Sequence, residues 1–108
     1  NLILNAIDAM PDGGMLICRT GLHNDPPGWI VITMADSGLG MPPDILARIF
    51  EPFFTTKSSG TGLGLTIIRQ IITQVGGVIE VQSEPGAGTA FTVKLPLQDA
   101  LEMELEND

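Results

Sequence analysis

One acidic residue directly follows an apolar, strand-like stretch and is the first candidate for ligand binding. Asp36 comes after residues 29–35 and before Gly38 and Gly40, two glycines that allow backbone to approach a ligand closely. An ionised carboxylate held at a strand end needs a hydrogen-bond donor, and the exocyclic amino group of adenine is a suitable one. Asp-x-Gly is equally typical of surface turns, so the segment alone leaves both interpretations open.

A second glycine-rich segment, GTGLGL at 60–65, ends where a helix is predicted to begin. The free N–H groups and the positive dipole end of a helix form a general anion site. A Walker loop needs Lys-Ser/Thr after its last glycine, whereas Leu65-Thr66 follows here, and a polar loop rather than a strand precedes the segment. The segment therefore indicates an anion site of another type, or a flexible linker of similar composition.

The opening helix carries candidate oxygen ligands. Asn5 and Asp8 are expected on the same side as Asn1, opposite an apolar stripe. That stripe consists of Leu2, Ile3, Ala6, Ile7 and Met10. A carboxamide oxygen suits a hard cation such as Mg²⁺ that also binds phosphate. Solvent exposure is the simpler interpretation of either side chain.

Composition narrows the class of protein. The chain has 108 residues, a net charge of −8 and only five Lys+Arg, too few for the row of phosphate contacts that nucleic acids require. The acids concentrate near the end, which predicts one domain over 1–97 and a flexible acidic tail over 98–108. The single cysteine, Cys18, is expected to be a buried thiol in a reducing compartment, and Trp29 is expected in the core. No apolar run is long enough to cross a bilayer.

Periodicity predicts the elements that must position these residues. Helices are expected over 1–10, 44–49 and from 65 to the glycine pair at 76–77, with a loop over 50–64. Strands are expected over 15–22, 29–35, 78–83 and 89–95, joined in pairs by polar turns. This order favours an α/β fold: a two-layer α/β sandwich with a mixed, largely antiparallel sheet covered on one face by helices.

Four segments, in this order, resemble the motifs of ATP-binding catalytic domains of two-component sensor histidine kinases. That family belongs to the superfamily of gyrase, chaperone, histidine-kinase and mismatch-repair ATPases. The segments resemble the N box (1–10), the first glycine box (36–41), the F box (49–57) and the second glycine box (60–65). The short Phe-Phe-Thr-Thr-Lys stretch looks like the nitrogen-sensor-like subgroup.

The resemblance implies a site for ATP and Mg²⁺. Asn5 would hold the metal and Lys57 would reach the terminal phosphates, which makes these two the implied catalytic residues. Asp36 would accept from the adenine amino group, while Phe50, Phe53 and Phe54 would anchor a lid. The implied nucleotide-binding set is Asn5, Asp8, Asp36, Gly38, Gly40, Met41, Phe54, Thr56, Lys57, Gly60, Thr61, Gly62, Leu63, Gly64, Leu65 and Thr89.

Two departures from the family's pattern bear on the reaction. Many histidine kinases have arginine at the position of Thr55, so phosphate charge would fall more heavily on Lys57 and Mg²⁺. Related ATPases place a catalytic glutamate where this chain has Asn1, which cannot act as a general base at neutral pH. The only histidine, His23, lies between a strand and a polar turn and is expected to be an exposed loop residue.

The resemblance therefore implies transfer of the γ-phosphate to a histidine on a separate dimerisation domain and, indirectly, service to a response regulator. An ATP hydrolase or serine-directed kinase of the same fold, and a non-catalytic nucleotide-binding or scaffold module, are the alternatives. The implied location is the cytoplasm, either free or as the cytoplasmic part of a membrane sensor. The sequence leaves open whether the parent protein is membrane-bound and homodimeric.

Overall fold

The computed structural model describes residues 1–23, 28–56 and 62–97. The predictions for Lys57, Gly60, Thr61 and the tail 98–108 lie outside these residues. The elements are α1 (Leu2–Asp8), β1 (Leu16–His23), β2 (Trp29–Asp36), α2 (Pro43–Leu46), α3 (Gly64–Gln74), β3 (Val78–Glu84) and β4 (Gly88–Pro96). Their types and order are as predicted.

The second helix is shorter than predicted. α2 ends at Leu46, and the following N–H groups of Arg48 and Glu51 bond to carbonyls three residues back, at Ile45 and Arg48. Bonds of this i→i+3 type tighten the chain into consecutive turns instead of continuing an α-helix. The apolar residues between 45 and 49 therefore lie on a helical turn followed by tight turns.

The described strands form one antiparallel sheet in the order β1-β2-β4-β3. Along β4, Thr89, Phe91 and Val93 are buried in alternation, so they share one face. α1 packs on β2 and α3 packs on β3, which covers that face. The opposite face is polar at this edge, where Lys94 and Glu80 form an ion pair of 3.3 Å. The result is the predicted two-layer α/β fold.

The predicted core face of α1 is confirmed for Leu2, Ala6 and Met10, which are buried or half-buried, and is wrong for Ile3 and Ile7. Ile3 and Ile7, expected on the core side, are 47% and 54% exposed, whereas Ala6 is buried and Asn5 is half-buried. The end of the helix is held by the Leu39 N–H, which donates to the Ala9 carbonyl at 3.0 Å. Gly38 allows this close approach, because a Cβ there would collide with the Ala9 carbonyl.

Two further expectations about burial are wrong. Cys18 is exposed and Trp29 is only half-buried. Cys18 pairs with Met34 across β1 and β2, but β1 is an edge strand, and the helices pack on β2 and β3. Alternation predicts which face a residue occupies without predicting whether another layer covers it. Among the described residues, no helix has the length and apolar character that a bilayer crossing requires.

Candidate functional site

The strand register places three polar residues in one row. Ala35 pairs with Ala90, so the next residues, Asp36 and Thr89, are also neighbours across β2 and β4. Thr89 in turn pairs with Ser83 on β3. Because paired residues in a sheet point to the same face, this polar row crosses the end of the otherwise apolar buried face.

Asp36 is held in place by backbone groups. The N–H groups of Gly38 and Thr89 both donate to its Oδ1, at 2.9 and 3.2 Å. Within the described part of the chain, Oδ2 accepts no hydrogen bond, although Asp36 lines a cavity. One carboxylate oxygen is therefore used to fix the side chain, and the other is left as a strong acceptor towards the cavity.

The loop that follows Asp36 is clamped by the end of β3 and by the turn that follows it. The Gly86 N–H donates to the Leu39 carbonyl at 2.7 Å, and the Met41 N–H donates to Ser83 Oγ at 2.9 Å. Gly40 has φ +69°, and a Cβ there would collide with the Glu84 carbonyl oxygen. Only glycine fits this position without a backbone shift, since it combines a left-handed conformation with close approach.

The cavity has a volume of about 690 Å³ and lies between this loop, α1, α2 and the start of α3. One part of its wall is apolar and the rest carries carboxylate, amide and hydroxyl groups. The described residues that line it are Asn5, Asp8, Ala9, Asp36, Leu39, Gly40, Met41, Ile45, Ile49, Phe54, Thr55, Thr56, Gly62, Gly64, Leu65, Thr89 and Phe91. Its size and mixed character are those of a small-molecule site.

Most of the described candidates from the sequence line this one cavity. They are Asn5, Asp8, Asp36, Gly40, Met41, Phe54, Thr56, Gly62, Gly64, Leu65 and Thr89. Gly38 and Leu63 do not line it: a Cβ at Gly38 would collide with the Ala9 carbonyl, and Leu63 is the N-cap of α3. The smallness of Gly38 therefore serves the packing of the loop against α1.

Sequence reasoning missed six of the described lining residues, namely Ala9, Leu39, Ile45, Ile49, Thr55 and Phe91. Two sequence patterns would have identified three of these six residues. Phe91 lies two residues after Thr89 on the same strand, hence on the same face. Ile45 and Ile49 have the i, i+4 spacing of one helical face.

The segment between the turns after α2 and the start of α3 is joined at its base. The Phe53 N–H donates to the Gly62 carbonyl at 2.9 Å. Gly62 has φ +75°, and a Cβ there would collide with the Phe53 backbone. Phe53 itself has φ +67° and is 74% exposed, so the expectation that its ring anchors the segment is wrong. Its backbone makes the contact instead.

Phe50 and Phe54, the other two phenylalanines expected to anchor the lid, each lie against an arginine. The Arg48 guanidinium lies 4.4 Å from the centroid of the Phe54 ring, and that of Arg69 lies 5.2 Å from the Phe50 ring. Thr66 Oγ1 also donates to the Phe50 carbonyl at 3.1 Å, which connects this segment to α3. Phe54 reaches the cavity wall, whereas Phe50 stays outside it.

The lining suits a hard cation brought in by an anionic ligand. Asn5 and Asp8 present an amide oxygen and a carboxylate to the same cavity as Asp36. In the described ranges, no three His, Cys, Asp or Glu side chains cluster as a complete metal site. Oxygen donors of this kind match Mg²⁺, which commonly takes one or two protein ligands and completes its shell with phosphate and water.

The fold and cavity agree with the comparisons to known proteins. The model of the "Histidine kinase-, DNA gyrase B-, and HSP90-like ATPase" family matches residues 1–99. Sensor kinase CckA of Brucella abortus (strain 2308) is 47% identical over 110 aligned residues, covering 89% of this chain and 12% of that protein. The chain therefore belongs to this ATPase family, and it spans a small part of the length of its curated relative.

Solved structures give the same result. The mycobacterial sensor histidine kinase MprB superposes with a TM-score of 0.76 at 32% identity, covering 88% of this chain and 64% of that one. Full-length ShkA, determined in complex with AMPPNP, superposes with a TM-score of 0.72 at 33% identity, covering 85% of this chain and 19% of ShkA. The described sheet and its helices thus have the histidine kinase ATPase fold.

Proposed function

We propose that this chain is the catalytic domain of a sensor kinase that binds Mg-ATP in the described cavity and donates the γ-phosphate to a histidine on a separate domain. The observation that carries the proposal is that Asp36 and Asn5, from distant parts of the sequence, line one cavity. The carboxylate of Asp36 suits the amino group of adenine, and the amide of Asn5 suits a metal ion bound to the phosphates. The likeness to CckA and MprB supports the assignment to sensor kinases.

The base would lie against the apolar part of the wall. Met41, Ile45, Ile49 and Phe91 supply flat or flexible apolar contacts for a purine ring. Asp36 Oδ2 would accept one N–H of the exocyclic amino group. Since the carboxylate is already fixed through Oδ1, little side-chain entropy is lost when the base binds.

The phosphates would lie near α1 and the beginning of α3. Gly62, Gly64 and Leu65 bring backbone to the cavity at the positive end of an 11-residue helix. The described lining contains the carboxylates of Asp8 and Asp36 and no basic side chain. Phosphate charge would therefore be met by backbone amides, by Lys57 and by Mg²⁺, held by Asn5 with Asp8 beside it. When bound, the metal supplies charge neutralisation.

Transfer to a protein histidine is favoured over hydrolysis. Asn1 occupies the position where the resemblance places the glutamate base of hydrolytic relatives, and an amide cannot take a proton from water. Positioning and charge neutralisation would then supply most of the catalysis, as is usual for phosphoryl transfer.

The accepting histidine would belong to the dimerisation domain of the parent kinase. The backbone of His23 is seven residues along β1 from Leu16, the partner of Asp36. At ~3.3 Å per strand residue, this places it roughly 23 Å from the Asp36 end of the sheet. Since ATP is a cytoplasmic metabolite, we place the domain in the cytoplasm, with a response regulator as the indirect recipient of the phosphoryl group.

Nucleotide binding is tested by thermal unfolding with Mg-AMPPNP. At about 100 times its dissociation constant the ligand should stabilise the fold by about 2.7 kcal/mol. Asp36→Asn keeps the shape of the side chain but replaces the charged oxygen, so the same ligand concentration should stabilise that variant far less. An unchanged melting temperature in the wild-type chain at saturating ligand would favour a scaffold module.

Phosphoryl transfer is tested by replacing the matching segment of Brucella abortus CckA with residues 1–97 and adding γ-labelled ATP. The expected product is protein-bound phosphate that is labile in acid and stable in base, the behaviour of a phosphorylated histidine. The isolated 108-residue chain should show no appreciable labelling. Steady release of inorganic phosphate by the isolated chain would instead indicate an ATP hydrolase.

A further inference from the structure

Ser83 makes three hydrogen-bonding contacts at the back of the polar row. Its Oγ accepts from the Met41 N–H at 2.9 Å, lies 3.1 Å from the Gly88 carbonyl oxygen and lies 2.8 Å from Thr89 Oγ1. Ser83 is half-buried and does not line the cavity, whereas Thr89 is buried and does. Ser83 therefore touches the candidate site only through its neighbours.

Only one arrangement of protons satisfies all three contacts. A carbonyl oxygen can only accept, so the Ser83 hydroxyl must donate to Gly88. That donation uses its single proton, and Ser83 Oγ must then accept from both the Met41 N–H and the Thr89 O–H. Were Ser83 to donate to Thr89 instead, two oxygen atoms 3.1 Å apart would face each other without a proton between them.

This arrangement determines the direction of the Thr89 hydroxyl proton. Its hydroxyl proton points to Ser83, away from the cavity, so Thr89 Oγ1 offers only lone pairs to a ligand. Beside it, Asp36 Oδ2 is also an acceptor. This end of the cavity then matches a base edge that presents N–H donors, directly or through a water, and repels an edge that presents a carbonyl oxygen.

We propose that Ser83 is a positioning residue that sets base specificity by fixing the Thr89 hydroxyl as a hydrogen-bond acceptor. The ligand class selected is a 6-aminopurine nucleotide over a 6-oxopurine nucleotide. This inference rests on the proposed function, since it concerns the same nucleotide cavity. It goes further by assigning a role to a residue that never contacts the nucleotide.

The experiment compares the affinities of the 108-residue chain for ATP and for inosine triphosphate, both with Mg²⁺, by calorimetry. The wild-type chain should prefer ATP. In Ser83→Ala the Thr89 hydroxyl is free to turn and donate to the 6-oxo group, so the preference should shrink roughly threefold to tenfold, the range of one neutral hydrogen bond. Ser83→Thr, which keeps the hydroxyl, should restore the preference.

Two further variants separate this role from a structural one. Ser37→Ala removes a serine that also accepts a backbone N–H, from Met15 at 2.8 Å, but whose side chain does not line the cavity. It should leave the preference unchanged. On a Thr89→Val background, Ser83→Ala should have no further effect on the preference, because the hydroxyl that it orients is gone.

Each outcome decides the inference. A wild-type chain that binds both nucleotides equally, a Ser83→Ala variant with an unaltered preference, or an effect of Ser83→Ala that persists in Thr89→Val would overturn the role of Ser83. An ATP-selective wild-type chain with an unaltered Ser83→Ala ratio would leave the proposed function intact. Absence of any ATP binding by the wild-type chain would remove both.

Discussion

Two segments that line the cavity are held in different ways: the first is residues 36–41, and the second is described at residues 53–56 and 62–65. Residues 36–41 are clamped to the end of β3 and the turn that follows it through Leu39 and Met41 and to α1 through the Ala9 carbonyl. In the second segment, the Phe53 N–H donates to the Gly62 carbonyl, and arginines lie against the rings of Phe50 and Phe54. The wall proposed for the base is thus bonded to the sheet, whereas the described part of the wall proposed for the phosphates is bonded to the turns after α2 and to the start of α3.

Each glycine is required at a different contact. Gly40 is required by contact with the β3–β4 turn, and Gly38 by contact with α1. Gly62 is required where the ends of the second segment meet. Changes in the first segment should therefore affect the stability of the whole domain, and changes in the second should be more local.

The largest effect is expected for Gly40→Ala. The new Cβ would have to occupy a left-handed backbone position and displace the Glu84 carbonyl, so the free energy of unfolding should fall by at least about 2 kcal/mol. Urea unfolding measures this. Gly21→Ala is the control, because that β1 glycine has open space around its Cβ, and it should change stability by less than about 0.5 kcal/mol. Equal effects in the two variants would contradict the clamp.

A smaller effect on stability is expected for Gly62→Ala. The substitution forces apart Phe53 and Gly62 at the base of the second segment, outside the sheet, so the free energy of unfolding should fall by about 1 kcal/mol. Its affinity for Mg-AMPPNP should fall more than its affinity for adenosine, as measured by calorimetry. A loss of stability as large as that of Gly40→Ala would show that the two segments are equally integrated.

The smallest effect is expected for Arg48→Gln. The guanidinium lies over the Phe54 ring and pairs with Glu51, but its side chain is 57% exposed, so the substitution should cost less than about 1 kcal/mol. Arg48→Lys keeps the charge and should recover part of that loss. If Arg48→Gln destabilises the domain more than Gly62→Ala, the phenylalanine contacts rather than the backbone bond hold the second segment.

The order of elements could be predicted because each has a strong local signal, such as the apolar spacing of α3 or the alternation of β4. The exposure of Ile3 and Ile7 on α1 could not, because seven residues contain too few turns to fix a phase, and the contact of Ala9 with Leu39 decides it. The exposure of Cys18 could not be predicted either, because coverage of an edge strand depends on where helices pack.

In the site, too, some residues have a local sequence signal and others are positioned by packing. Asp36, Asn5 and the glycines have residue types and spacings that point to a nucleotide. Phe91 and Ile45 have ordinary types whose spacing shows only which face they share with their neighbours, and the register of β3 with β4 is what brings Ser83 behind the cavity. Local sequence patterns identify the polar groups that contact a ligand better than the apolar wall or the residues that orient those groups.

The most direct test is a calorimetric titration of the wild-type chain, Asn5→Ala and Asp36→Asn with Mg-ATP and with adenosine. If one nucleotide spans both residues, Asn5→Ala should weaken Mg-ATP binding roughly tenfold or more and leave adenosine binding nearly unchanged, since adenosine carries no phosphate or metal. Asp36→Asn should weaken both ligands. If Asn5→Ala weakens adenosine as much as Mg-ATP, or changes neither, then Asn5 and Asp36 do not share a nucleotide in the proposed orientation.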